Sequence, residues 1–320
     1  MVHFNKVVVI GLGQLGLPVA KYVKEKGFDT YGYDINPKAV EIAEKTSAIK
    51  IADNFSDFDV FILCVSTHKP DDIFSPQIDG LLSVADKISK EATRRKDGSA
   101  LVSIESTIPK GTSKKILEIL DHRFHVVHAP HRWYALEENE HGVNQLRVIG
   151  GVKDCCIRDG MQFYSGNNYY TSDNTVAEEQ DSPLPSPSLS SQSLNLFKGL
   201  DIPMHPVSKI EVAEMTKIIE NAHRYLQIAF AEDLYLYCQA NGINFSELRD
   251  ALNTKWNVNI LEPREGIGGH CLPKDTKMFL QSSSHFKSKI LTEAIEVDQR
   301  YRRHIAETSS AKVCYYVNCR

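Results

Sequence analysis

The sequence predicts an α/β chain: a parallel sheet covered by helices on both faces, followed by a mostly helical central region. Short β-branched runs alternate with helix-period segments through the first half of the chain, and from Ile210 onward apolar residues recur at spacings of three and four. Length agrees, because 320 residues and 36.0 kDa exceed what one core usually absorbs, so two structural units are expected.

The first strand is KVVVI at Lys6–Ile10, closed by the turn GLGQLG and followed by a helix from Leu17 toward Lys26. The next strand, DTYGYD, ends at Asp34, and NPKAVEIAEK follows with proline near a helix start. DVFILCV (Asp59–Val65) and ALVSI (Ala100–Ile104) read as buried strands around a helix over Ile78–Lys90. GTSKKILEIL is then a helix, Phe124–Val127 begins a strand, and RVIGG (Arg147–Gly151) is another. Between Gly166 and Gly199 the chain is rich in Asn, Ser, Pro and Gln, and DSPLPSPSLSSQS supports neither helix nor central strand. The segment from Ile210 to the Asn241-Gly242 stop forms a long helix with a broad apolar face. A short helix over Phe245–Asn253, the passage EGIGGHCLPKD and two further helical segments complete the reading. The expected organisation is a dinucleotide-binding domain over 1–165, an irregular Pro/Ser-rich insertion or linker over 166–205, and a helical domain over 206–320.

Composition is that of a globular protein, with 42% hydrophobic and 24% charged residues. The balance of 37 basic and 41 acidic residues gives no broad positive field, so nucleic acid is not expected as a partner. Absence of a long apolar run argues against a membrane span, and the opening MVHFNKVVVIGLG leaves no room for a signal segment, so a cytoplasmic location is expected. Seven scattered cysteines read as free thiols, and twelve histidines without a paired ligand motif predict no metal.

Gly11, Gly13 and Gly16 form GxGxxG between a strand and a helix, the arrangement of a Rossmann-type domain. The first glycine permits the turn, the second lets backbone approach a pyrophosphate, and the third allows close helix packing. Asp34, eighteen residues past Gly16, can accept from a ribose diol and would repel a 2′-phosphate, so NAD is expected over NADP. FAD is compatible with the same turn. Lys38 can approach the adenosine side or stand as an exposed helix residue.

Cys271 sits in GIGGHCLPKD beside Gly268, Lys274 and Asp275, a bend open to substrate with a cation to favour thiolate and a carboxylate to orient water. Lys217 and Asn221, four apart on the long helix, share a face and can hold an oxyanion, or they simply face solvent. Thr107 lies where α/β sheets bind ligands, and it could position water or cap the next helix.

Taken together, GLGQLGLPVA, YDINPKAV, CVST, ESTIPKGT, RVIGG, AEMTKIIENAHR and GIGGHCLPKD resemble the UDP-glucose/GDP-mannose 6-dehydrogenase family. The resemblance implies two successive NAD-linked oxidations of the C6 alcohol of a nucleotide sugar. Cys271 would carry a thiohemiacetal and then a thioester, Lys217 and Asn221 would stabilise oxygen charge, and Asp275 with Thr107 would hold the hydrolytic water. Gln14, Leu15, Val65, Ser66 and Thr67 join the cofactor set, while Arg132, Gly268 and Lys274 join the substrate set. Self-association through the long helix, 210–240, is expected.

Two departures stand out. His131 occupies the place after proline where the family usually has glutamate, and it could exchange a proton near neutrality, mark altered substrate choice or mark lost activity. The family also ordinarily continues into another α/β domain, whereas this sequence stops soon after the helices that follow Cys271, leaving a shortened enzyme, a fragment and a partner-dependent subunit as readings. A β-hydroxyacid dehydrogenase and an NAD-binding regulatory protein are the rival functions.

Overall fold

Strand β1 (Lys6–Ile10) leads through the glycine turn into helix α1 (Gly16–Glu25), and the βα rhythm continues with β2 (Asp29–Tyr33), α2 (Pro37–Ser47) and β3 (Lys50–Ile51). The computed structural model describes residues 3–69, 71–72, 75–93, 100–133, 141–166 and 198–317. Next come β4 (Val60–Leu63), α3 (Asp79–Glu91), β5 (Leu101–Ile104), α4 (Thr112–Ile119), β6 (His125–His128), β7 (Arg147–Gly151), α5 (Asp154–Ser165) and β8 (Met204–Val207). Four helices follow: α6 (Ile210–Asn241), α7 (Phe245–Leu252), α8 (Cys271–Gln281) and α9 (Lys289–Val317). Most of the expected Pro/Ser-rich insertion lies outside the described residues.

The chain divides into two compact units, one of residues 1–67 and 78–217, the other of residues 68–77 and 218–320. In the first, eight strands run in the order β3-β2-β1-β4-β5-β6-β7-β8. The strands from β3 to β6 pair in parallel, matching the expected doubly covered sheet, whereas β7 is antiparallel to β6. No crossover helix occurs among the described residues between β6 and β7, and a parallel return would need one. Strand β8 pairs in parallel with β7 at the sheet's edge. Its sequence, MHPV, carries a proline and two exposed residues, so it lacks the alternation that would announce it.

Strand geometry sends alternate side chains to opposite faces, and the core divides accordingly. Val7, Val9 and Ile62 pack with Val19, Val23 and Phe163 on one side of the sheet, while Val8, Ile10 and Phe61 pack with Leu81, Ile88 and Ile116 on the other. Each fully buried side chain of this kind contributes about 1.5–3 kcal/mol against exposure. Glu214, near the start of α6, accepts the amides of Gly111 at 2.6 Å and Ser113 at 2.8 Å and so caps α4.

In the second unit, Tyr225, Ala229, Ile267 and Ala294 form a core shared by α6, the glycine loop and α9. Tyr235 packs edge-on against Phe245 at 5.5 Å and Tyr301 at 5.5 Å, tying α6 to α7 and α9. Helix α6 ends at Gly242, whose φ of +65° suits glycine and stops the helix. No helix among the described residues is long and apolar enough to cross a membrane.

Candidate active site

The glycine turn is closed at two of its glycines and open at the third. Gly11 has φ +93°, and a Cβ there would meet the Cys64 carbonyl oxygen at 2.5 Å; one on Gly16 would meet the Gly11 oxygen at 1.6 Å. Around Gly13 nothing lies within 4 Å. That gap opens a cradle before α1, a helix with no side-chain cap and no acidic residue in its first turn, so its amides suit an anion. Asp34 accepts the Leu12 amide at 2.6 Å and the Asn36 amide at 2.7 Å, which fixes its carboxylate beside the turn with lone pairs left for a ribose diol. These residues fit NAD. Gln14 is exposed, Leu15 packs against the core, and the Lys38 side chain is exposed while its amide is taken by the Asn36 cap.

Val65, Ser66, Thr67 and Thr107 lie in neighbouring loops that leave the C-terminal ends of β4 and β5, where ligands of such sheets bind. The loops are stitched together: Thr67 Oγ1 donates to the Thr107 carbonyl at 2.7 Å, and Ser106 Oγ donates to that of Val65 at 2.6 Å.

Beyond β6, His131 is buried, and its Nε2 contacts Glu105 Oε2. Arg147 Nη1 stands 3.1 Å from the same oxygen, and Tyr164 OH donates to Oε1 at 2.5 Å. Burial works against charge on Glu105, but Arg147 and His131 outweigh it and bring its pKa down to about 2. Burial, with repulsion from Arg147 and Lys217 outweighing attraction to Glu105, brings His131 down to about 4. At neutral pH the imidazole is therefore uncharged. Lys217, half-buried on α6, thus lies within electrostatic reach of His131. Arg132 donates to the Leu146 carbonyl at 3.0 Å. Glu105, Arg147 and Tyr164 escaped the sequence reading because each, taken singly, reads as part of a strand, a strand flank or a helix.

In the second unit, Cys271 is the first residue of α8 and is exposed, a position where the helix dipole favours an anion. His270 Nε2 lies 3.6 Å from its sulfur, and the His270 ring packs edge-on against His68 at 5.5 Å. One helical turn on, Asp275 accepts the side-chain amide of Asn221 on one oxygen and Lys274 Nζ at 2.7 Å on the other. Lys274 and Asp275 are both buried, so this lysine is engaged by the neighbouring carboxylate. Gly268 is exposed with open space where a side chain would stand, and Gly269 has φ +71°.

The loop before Cys271 is held from α9. Asp298 Oδ1 accepts the Ile267 amide at 2.8 Å, while Arg302 donates to the Ile267 carbonyl and pairs with Asp298 at 3.0 Å. A Cβ on Gly266, at φ +96°, would meet Arg302 at 2.7 Å, so glycine lets the clamp close. Glu232, buried on α6, has its pKa pushed up to about 8 by burial and by Asp298. No local motif announces these three residues.

Known proteins share this order of domains. The NAD binding domain of the UDP-glucose/GDP-mannose dehydrogenase family matches residues 45–166, and the family's central domain matches residues 211–300. The UDP-N-acetyl-D-mannosamine dehydrogenase of Pyrococcus horikoshii is 28% identical over 308 residues, spanning 87% of this chain and 64% of that protein. That of Campylobacter jejuni is 27% identical, covering 98% of this chain and 76% of the relative. The solved Pyrococcus horikoshii UDP-D-ManNAc dehydrogenase superposes with a TM-score of 0.71 at 26% identity, covering 94% of this chain and 70% of that one. The chain thus spans a little under two thirds of the length of the first of these relatives. With matches to both domains in sequence order, and NAD as the cofactor of the first, the chain belongs to the UDP-glucose/GDP-mannose dehydrogenase family.

Proposed function

We propose that this chain oxidises the C6 primary alcohol of a nucleotide sugar to the uronate in two NAD-linked steps, with Cys271 as nucleophile. The observation that carries the reading is the exposed Cys271 at the start of α8, one turn before the joined Asn221, Asp275 and Lys274 side chains. NAD, when bound, accepts hydride from C6 in each oxidation.

His131 takes the hydroxyl proton in the first oxidation, and Lys217 and Asn221 hold the oxygen. The Cys271 sulfur then adds to the aldehyde carbon, its oxygen gains a proton, and a thiohemiacetal forms. Loss of a second hydride and of the hydroxyl proton gives the thioester. Water, held by Asp275 and Thr107, adds to the carbonyl carbon; the C–S bond breaks, and the thiol and carboxylate are released. Gly268 leaves room for the sugar, while Arg132 and Lys274 contribute positive charge toward its anionic groups.

The named relatives point to a UDP-N-acetylated hexosamine within the broader nucleotide-sugar class. Self-association belongs to the same reading, because Val212, Ile219, Phe230 and Tyr237 are exposed at spacings of seven and eleven, which align them on one stripe of α6. A panel of UDP- and GDP-sugars with NAD tests the function. Two NADH per uronate support it; one NADH per product favours a β-hydroxyacid-type oxidation, and none favours a regulatory protein.

A further inference from the structure

We propose that Glu105 is a positioning residue for His131: it accepts the Nε2 proton of a neutral imidazole and so reserves the Nδ1 lone pair as the proton acceptor of the site. The inference rests on the reading of His131 as part of the active site and adds to it the residue that sets its chemistry.

The two residues are 26 positions apart in sequence and are brought together by sheet register, since Ile104, just before Glu105, pairs with His128, three residues before His131. His131 is 5% exposed, and Glu105 and Arg147 are 1% exposed, so water does not compete for their contacts. Oε2 of Glu105 faces His131 Nε2 and Arg147, and Oε1 takes the proton of Tyr164, whose oxygen is 2.6 Å from Ser103 Oγ. Arginine stays protonated and only donates. Its guanidinium therefore keeps Glu105 ionised, and an ionised carboxylate only accepts, so the proton between Nε2 and Oε2 belongs to the imidazole.

The second proton of an imidazolium is what this setting disfavours. Arg147 on β7 and Lys217 on α6 both repel it, burial removes its hydration, and Glu105, directly after β5, is the one carboxylate acting on it among these groups. His128 on β6 is itself neutral, its pKa brought down to about 3 chiefly by burial, and adds no charge. Neither ring nitrogen of His131 makes a hydrogen bond of regular geometry among the described residues, but Nε2 is the one in contact with Glu105 Oε2, which leaves Nδ1 as the buried nitrogen turned away from that carboxylate contact. An unmet buried acceptor costs about 1–3 kcal/mol, and a substrate hydroxyl is the partner that would meet it.

In the oxidation the hydroxyl proton moves to Nδ1 as C6 gives up hydride and the C=O bond forms. The positive charge that then develops on the ring lies against the Glu105 carboxylate, which offsets Arg147 and Lys217 at that moment. A glutamate at residue 131 would set two carboxylates against one another, whereas histidine shares the site with Glu105 through one proton.

The test is the side-chain nitrogen spectrum of 15N-histidine-labelled full-length chain at pH 7, with His131 assigned by the signal lost in His131→Gln. The expected spectrum shows protonated Nε2 and unprotonated Nδ1, persisting down to about pH 5; an Nδ1-protonated ring or an imidazolium at pH 7 overturns the proposal. Glu105→Gln is expected to mix the tautomers and to lower kcat by roughly 10²–10⁴-fold with little change in KM. Unchanged tautomer and kcat in that variant contradict it. Glu105→Asp keeps the carboxylate and is expected to retain the wild-type tautomer, which guards against simple misfolding of the glutamine variant. Should the wild-type chain oxidise no nucleotide sugar, the dehydrogenase reading fails, while the spectrum still decides whether Glu105 sets the His131 proton.

Discussion

Asn221 donates its side-chain amide to Asp275, joining the middle of α6 to the first turn and a half of α8, where Cys271 stands. The contact places an oxygen-holding amide, a carboxylate and, through Lys274, a buried cation one turn from the candidate nucleophile. The candidate nucleophile and the charged and polar side chains proposed to act with it thus come from two helices of a single unit.

Replacing Cys271 by serine should abolish net uronate formation, by roughly 10³-fold or more, because a hydroxyl far from its pKa supplies little nucleophile at neutral pH. Uronate measured by chromatography checks it, and full acid production by the variant would remove Cys271 from its assigned role.

Asp275→Ala leaves Lys274 buried without its carboxylate, and loss of one partner of such a pair costs about 3–5 kcal/mol. Urea unfolding of the purified chain measures the loss. A Lys274→Met change in the same background should recover part of it; strict additivity of the two changes would show that the pair does not couple.

Asp34→Ala should weaken NAD binding roughly 10–100-fold, the worth of charge-assisted hydrogen bonds to a ribose diol, and should narrow the preference for NAD over NADP. Calorimetry with both cofactors reads it directly, and unaltered affinities would place the adenosine ribose elsewhere.

Glu232 gives a pH dependence with a definite sign. Burial, then Asp298, raises its folded pKa to about 8, so the folded chain keeps a proton that the unfolded chain releases near the ordinary carboxylate range of about 4.3. Its contribution to stability is therefore whole below that range and is lost as pH rises through about 8. Glu232→Gln should flatten this decline, with a higher melting temperature than wild type at pH 8.5 and little difference at pH 5. Parallel melting curves across that interval would show that Glu232 is ionised in the folded state.

The legible parts of this fold were those written locally. Lys6–Ile10, the three glycines and Asp34 announce a strand, a turn and a carboxylate at fixed offsets, and the structure places Gly13 in open space with Asp34 against the turn. The long helix was readable from its period and its stop at Gly242. Contacts made by register were not readable: Glu105, His131, Arg147 and Tyr164 come from four segments and meet through strand pairing and helix packing. The Asp298–Arg302 clamp on Ile267 is equally silent in sequence, since an acidic and a basic residue four apart on a helix ordinarily describe a solvated face.

The most direct measurement is the mass of the peptide bearing Cys271 after a single turnover of the chain with a nucleotide sugar and excess NAD is quenched in acid. The expected result is a sugar acyl adduct on that cysteine, appearing with the second NADH and decaying as uronate accumulates. Uronate formed at full rate while the sulfur of Cys271 stays unmodified throughout would contradict covalent catalysis by this residue.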